Sequence, residues 1–293
     1  MKQFMAVISL FAFLAFGSMA HAQESRIFDG IIRIGGSTTL LPVIADSASQ
    51  FMEKFGTWDK VDPALPNVPI LIYVTGGGSG FGVKAVTDGT VMIGMASRDI
   101  KEKEKTALGQ HKEYLISKDC LAFAVNKKNP LAKIKNLTRE DVVRIFSGEA
   151  ATFKDIKATL PNKPILVQMR DAAGGSTEIL QKEVLKNKTF TQKAIQVPSQ
   201  GANLKKLQTN TSVIGYISSV LALQSPELKV FQFEGVAPTN ENVTNGTYSL
   251  TRPLLLLVKG NPEPAVEKFI SYMLNEGQKT IEDHGYVPVK AVQ

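Results

Sequence analysis

Three times this chain runs from a short apolar segment into a turn of glycines and hydroxyl residues and then into a helical period. That recurrence constrains the fold more than any other feature of the sequence. Ile31, Ile32 and Ile34 lead into Gly35-Gly36-Ser37-Thr38-Thr39-Leu40-Leu41-Pro42, after which Val43, Ile44, Ala48, Phe51, Met52 and Phe55 fall at helical spacing. The β-rich run 70–74 ends at once in Thr75-Gly76-Gly77-Gly78-Ser79-Gly80-Phe81-Gly82. The run 165–169 ends in Arg170-Asp171-Ala172-Ala173-Gly174-Gly175-Ser176-Thr177, with a helix expected over 178–185. Strand, turn and helix in that order predict a parallel α/β sheet. The order also aims the free N–H groups of each helix start at whatever fills the turn, and such a place attracts anions. A capped helix start, with Ser37 or Thr38 as N-cap, accounts for the first turn taken alone. The return of the same device twice points to a shared ligand.

The chain has 293 residues, 43% hydrophobic and 21% charged, which suits one large soluble domain or two of moderate size. Met1-Lys2-Gln3 is a short basic start, residues 4–16 are apolar and uncharged, and Ala20-His21-Ala22 is a small-x-small cleavage pattern. This predicts a secretory signal peptide over 1–22, removed after Ala22, and a soluble mature protein in an exported compartment. The apolar run falls short of the ~20 residues that span a bilayer. The single cysteine, Cys120, is expected to be a buried thiol in a strand. The formal charge of +7 is spread out, with Lys101, Lys103 and Lys105 alternating with Glu102 and Glu104. That reads as a solvated surface rather than a nucleic-acid face, and no nucleic-acid partner is expected.

Further strands are expected over 91–95, 115–125, 213–217 and 254–258. A helix is expected to start at Thr138, with Asp141 closing a capping box, and to end at Phe146-Ser147-Gly148. Helices are also expected over 265–275 and 277–283, and residues 56–69 read as a loop. Two α/β lobes result. Lobe I comprises 23–114 plus 236–293, lobe II comprises 115–235, and the chain crosses between them twice.

The glycine turn 76–82 is neither a P-loop nor a G-x-G-x-x-G fingerprint, because Lys84 and Phe81 break the two patterns. Ala96-Ser97-Arg98-Asp99 follows a buried run. Arg98 there suits a tetrahedral oxyanion, or equally a surface pair with Asp99 or Glu102. Arg170 with Gly174, Gly175, Ser176 and Thr177 is the strongest single group. Nothing supports catalysis: His111 and His284 read as surface helix, Glu102 and Glu104 as solvated, no G-x-S-x-G elbow surrounds the serines, and no zinc spacing or cofactor motif occurs. What accumulates is hydrogen-bond donors, namely the hydroxyls of Thr38, Thr39, Ser79, Ser97 and Ser176, backbone amides and two guanidinium groups.

At these residues the chain resembles the periplasmic phosphate-binding proteins of phosphate ABC transporters, the PstS-like group of the periplasmic binding protein superfamily. The marks are Gly36-Ser37-Thr38-Thr39, Gly76-Gly77-Gly78-Ser79-Gly80, Ile93-Gly94-Met95-Ala96-Ser97-Arg98, Ile145-Phe146-Ser147-Gly148, Ile214-Gly215-Tyr216, Ser249-Leu250-Thr251-Arg252-Pro253 and Gly285-Tyr286-Val287-Pro288. The resemblance implies a two-lobed type II fold, each lobe a mixed sheet flanked by helices, with a two-crossover hinge. It implies inorganic phosphate as ligand, an inner-membrane ABC transporter permease as partner, a monomer, and neither enzyme activity, cofactor nor metal. Carried over by motif, Thr38, Thr39 and the amide of Leu40 form the first contact group. Ser79 donates from the glycine turn beside Ser97 and Arg98. Arg170, Gly174, Gly175, Ser176 and Thr177 supply the second lobe's donors. Two departures stand out. Well-studied members carry an aspartate, which accepts the phosphate proton, where Arg98 stands; Asp99 or Asp171 is left as the candidate acceptor. In the second lobe either Gly174 replaces a serine, or one residue is inserted and Thr177 keeps its role. Sulfate, arsenate or molybdate remain alternative ligands, a secreted phosphate-ester hydrolase or a structural surface protein alternative functions.

Overall fold

The computed structural model describes residues 28–289; the expected signal peptide and its expected cleavage site lie outside them. The chain opens with β1 (Ile31–Gly36), which pairs in parallel with β2 (Leu71–Gly76) and β3 (Ile93–Ala96). Between β1 and β2 the helix Leu41–Phe55 buries Val43, Ile44, Ala48 and Phe51, the face that the apolar spacing predicts. It ends at Gly56, whose φ of 69° needs a glycine. The segment read as a loop after it contains a short helix, Trp58–Val61. Trp58 there is buried and donates Nε1–H to the Gly30 carbonyl at 2.9 Å.

The helix Ser79–Thr87 starts directly on the glycine turn. The reason is close packing. A Cβ on Gly82 would come within 2.4 Å of the Met95 carbonyl and 2.9 Å of the Gly35 carbonyl, so only glycine lets this helix lie on β1 and β3.

β4 (His111–Asn126) is 16 residues long and ties the molecule together. It begins four residues earlier than expected, so His111 lies on a strand rather than a helix. β4 is followed by β5 (Asn136–Leu137), β6 (Leu166–Arg170), β7 (Ile195–Val197), β8 (Val213–Ser218), β9 (Leu228–Val230), β10 (Gln232–Phe233), β11 (Thr251–Lys259) and β12 (Val287–Pro288). The first part of β4 pairs antiparallel with β11, and its last part pairs with β8 and β9. One continuous mixed sheet results, in the order β2-β1-β3-β11-β4-β8-β6-β7.

Helices from the two halves gather around separate cores. Ile32, Ile34, Phe51, Trp58, Phe269 and Tyr286 belong to the first core, and Phe123, Phe146, Phe153, Tyr216, Phe231 and Tyr248 to the second. Val243, Tyr248 and Leu250 pack in the second core as well. Residues as far along the chain as Leu250 therefore pack with the second core, and β11 lies between β3 and β4 in the sheet. Cys120 is buried in β4, and burial pushes its thiol up to about 12. The helix Arg139–Ser147 has the expected capping box between Thr138 and Asp141 and ends at left-handed Gly148. The helix Gly175–Leu180 starts three residues before the expected point, taking the end of the third turn into its first turn. Among the described residues no helix is long and apolar enough to cross a membrane.

Candidate functional site

The three turns converge. A small hollow lies where the halves meet, with room for about one water-sized group. Ser37, Thr38, Thr39, Gly78, Ser79 and Ser97 line it from the first half, and Arg170, Gly174, Gly175, Ser176 and Gln200 from the second. The halves also touch directly, the Gly80 N–H donating to the Ala173 carbonyl at 3.2 Å.

The hydrogen bonds dictate what the hollow can hold. A hydroxyl has two lone pairs and one proton. Thr38 Oγ1 accepts from an Arg170 guanidinium N–H (3.0 Å) and from the Gln200 backbone N–H (3.3 Å). Thr39 Oγ1 accepts from Arg252 (3.2 Å) and from Gln200 Nε2 (3.3 Å). Ser176 Oγ accepts from Arg252 (2.7 Å) and from Gln200 Nε2 (3.1 Å). Both lone pairs of each hydroxyl are thus filled by N–H groups, and the only capacity left is to donate the proton. Ser79 Oγ accepts from the Ser97 N–H at 3.0 Å and shares a 3.2 Å bond with Ser97 Oγ.

Two buried guanidinium groups back this ring. Arg170 also bonds Asp171 Oδ2 (3.0 Å) and the Pro198 carbonyl (3.2 Å), and its Nε is buried without a partner among the described residues. Burial pulls Arg170 below the ordinary arginine value, with Asp171 opposing, and the group remains cationic at neutral pH. Arg252 lies wholly out of solvent. Its Nε and one terminal nitrogen bond Asp119 Oδ2 at 3.0 and 2.6 Å, and Ser218 and Ser219 hold the other carboxylate oxygen. A charge buried this deeply needs such a partner.

Sequence reasoning gave no role to Arg252, Asp119 or Gln200. A signal for Arg252 was present, since it is a charged residue at the head of the otherwise apolar strand β11.

Leu40, Arg98 and Thr177, expected as ligand contacts, are not on the wall of the hollow. The Leu40 N–H is directed at Ser37 Oγ (3.4 Å), which also takes the Thr39 N–H at 3.2 Å. Ser37 thereby organises the turn, while the residue at the helix cap is Leu40, with no side-chain cap. Thr177 Oγ1 shares a 2.7 Å bond with the Tyr216 hydroxyl, which accepts the Arg170 N–H at 3.0 Å. Burial pushes Tyr216 up to about 12, so this anchor stays a neutral phenol.

Arg98 is 4% exposed and turns away from the hollow. Its two terminal nitrogens fork onto the Glu104 carboxylate, both at 2.8 Å, and its Nε lies 2.7 Å from Glu178 Oε2. Ser97, its neighbour, faces Ser79 instead, and the chain bends at both residues just past the end of β3. Glu104 is accordingly a paired group rather than a solvated one. Of the two candidate proton acceptors, Asp99 is exposed and Asp171 is tied to Arg170.

No metal-binding cluster of three or more His, Cys, Asp or Glu occurs among the described residues. His111 contacts the Gly109 carbonyl and Glu113, and His284 contacts Asp46.

Comparison with known proteins places this arrangement in context. A family model described as the PBP superfamily domain matches residues 20–276. The phosphate-binding protein PstS of Staphylococcus haemolyticus is 29% identical over 265 residues, covering 86% of this chain and 79% of its own length. A Clostridium perfringens protein, assigned as a phosphate ABC transporter substrate-binding protein and solved with bound phosphate, superposes with a TM-score of 0.76 at 30% identity. That match covers 89% of this chain and 100% of the other. An ABC-type phosphate transport receptor from Vibrio cholerae gives a TM-score of 0.68 at 26% identity, covering 87% and 99%.

Proposed function

The chain belongs to the PBP superfamily, and on that footing we propose that it captures inorganic phosphate between its two lobes and delivers it to the permease of an ABC transporter. The observation that carries this reading is the filled lone pairs of Thr38, Thr39 and Ser176. Hydroxyls obliged to donate, backed by two guanidinium groups, complement a small polyvalent oxyanion and repel cations. Each hydrogen bond to an ionised acceptor contributes roughly 1.5–3 kcal/mol, and several together are needed to offset the desolvation of the anion. Donors from both lobes favour the closed form when the anion is bound, and that change of shape is what a permease reads.

The same bonds argue against hydrolysis. A nucleophilic hydroxyl needs a base to take its proton, and these hydroxyls accept from N–H groups instead. The protein in this reading is exported, works in the periplasm as a monomer after cleavage behind Ala22, and meets its permease at the inner membrane.

Calorimetry on the exported chain with inorganic phosphate, arsenate, sulfate and molybdate tests the proposal. Tight binding of phosphate over sulfate is expected, with no turnover of a chromogenic phosphate ester. Equal, weak heats for phosphate and sulfate would reject the assignment.

A further inference from the structure

Gln200 opens the helix Gln200–Thr209, stands on the wall of the hollow and is 2% exposed. Its Nε2 and backbone N–H are committed to Ser176, Thr39 and Thr38. Its Oε1 is buried and has no hydrogen-bond partner among the described residues. An amide oxygen only accepts, and a buried acceptor left unmet is costly. The side chains around it are of the opposite kind: Thr38, Thr39 and Ser176 have only protons left to offer, and the buried Arg170 Nε is a donor too. A fully ionised oxyanion would meet these donors but would set its lone pairs against those of Oε1. An oxyanion that keeps one O–H meets both.

We propose that Gln200 is a specificity-determining residue: its Oε1 accepts the proton of a hydroxyl on the bound oxyanion. The cleft thereby selects anions that retain a proton near neutral pH, such as phosphate and arsenate, over sulfate, which retains none. A neutral amide does this without a carboxylate on the wall, where neither Asp99 nor Asp171 stands. The inference rests on the oxyanion reading of the cleft and names the residue that sets its selectivity.

The test uses inorganic phosphate and monofluorophosphate in mildly alkaline buffer, where both are dianions and only phosphate carries an O–H. By calorimetry the wild-type chain should bind phosphate at least about tenfold tighter, because a site built around a ligand hydroxyl rejects the analogue lacking it. Gln200→Leu should abolish that preference even where it weakens both anions. Gln200→Glu, which keeps an acceptor and adds charge, should widen it, and it serves as the readout if thermal melting shows the Leu variant unfolded. Equal wild-type affinity for the two anions would overturn the proposal, and so would an unchanged ratio in Gln200→Leu or Gln200→Glu, as expected if the amide presented its NH2 to the ligand. In those cases phosphate binding itself would stand. A wild-type chain that binds neither anion would remove the oxyanion reading and this inference together.

Discussion

Arg98 Nε lies 2.7 Å from Glu178 Oε2, and that ion pair spans the cleft: Arg98 follows β3 in the first lobe, and Glu178 sits on the helix Gly175–Leu180 of the second. Lys101 Nζ reaches the same oxygen at 2.7 Å. The contact exists only while the lobes are together, so it stabilises the closed form. Glu178→Gln is expected to leave the fold intact and to weaken phosphate binding at least roughly fivefold, about 1 kcal/mol or more for a largely buried pair. The loss should fall on the dissociation rate in stopped-flow measurements, and an unchanged rate would mean the pair does not hold the cleft shut.

Arg170 touches three partners at once: Thr38 across the cleft, Asp171 beside it and the Pro198 carbonyl. Arg170→Ala should weaken phosphate binding at least tenfold, about 1.4 kcal/mol or more. Arg170→Lys should recover little of this, since a single ammonium cannot reproduce a planar fork serving three acceptors. Calorimetry on both variants checks the point, and full recovery by lysine would show that charge alone is required.

The Arg252–Asp119 pair calls for a two-step experiment. Arg252→Met leaves the Asp119 charge buried with the hydroxyls of Ser218 and Ser219 to meet it, and should cost about 3–5 kcal/mol of stability. Adding Asp119→Leu removes the stranded charge and should return most of that stability in denaturant unfolding. Binding should stay lost in the double variant, because Thr39 and Ser176 no longer receive the N–H groups that turn their protons toward the ligand. Recovery of binding along with stability would demote Arg252 to a structural role.

How much of this was legible beforehand follows from the range of each interaction. The turns at Ser37, Ser79 and Ser176 are local devices written in consecutive residues, and their strand-turn-helix setting announced both the sheet and the donors. Arg252 and Asp119 are 133 positions apart and meet only because β11 lies beside β4. No local pattern records such a meeting. Arg98 is held off the wall of the hollow by Glu104 and by Glu178, and the second of these partners is 80 positions away, beyond any local pattern. Residues 236–250 hold few apolar residues, and Val236, Val243, Tyr248 and Leu250 show the core they join only through packing.

Glu104 links the site to acid stability. Burial raises its pKa, but hydrogen bonds from Arg98 and the Lys101 N–H outweigh this and hold the carboxyl below its ordinary 4.5. A depressed folded-state pKa means stability that is present above the ordinary value and is lost as pH falls through the folded one. The wild type should therefore lose stability to acid below about pH 4.5 more steeply than Glu104→Gln, which lacks the contribution at every pH. Thermal melting across that range decides; parallel curves would show that the pair adds nothing.

Gly175 provides the sharpest separation of folding from closure. A Cβ there would stand 2.7 Å from Ser79 Oγ, 2.8 Å from the Ser97 carbonyl and 2.9 Å from Ser97 Oγ, all atoms of the opposite lobe. Within its own lobe the residue begins a helix, where alanine is favoured over glycine by up to about 1 kcal/mol. Gly175→Ala should therefore melt no lower than wild type without ligand, yet bind phosphate at least about a hundredfold more weakly, since the lobes must part to relieve the overlap. Gly201→Ala is the control: it lies in the helix Gln200–Thr209, and an added Cβ meets nothing nearer than Ser199 Oγ at 3.9 Å. That variant should keep its affinity. Small-angle scattering should show the wild type and Gly201→Ala compacting on phosphate while Gly175→Ala stays open. Wild-type affinity in Gly175→Ala would mean that the ligand is held without the two lobes meeting at Ser79 and Ser97.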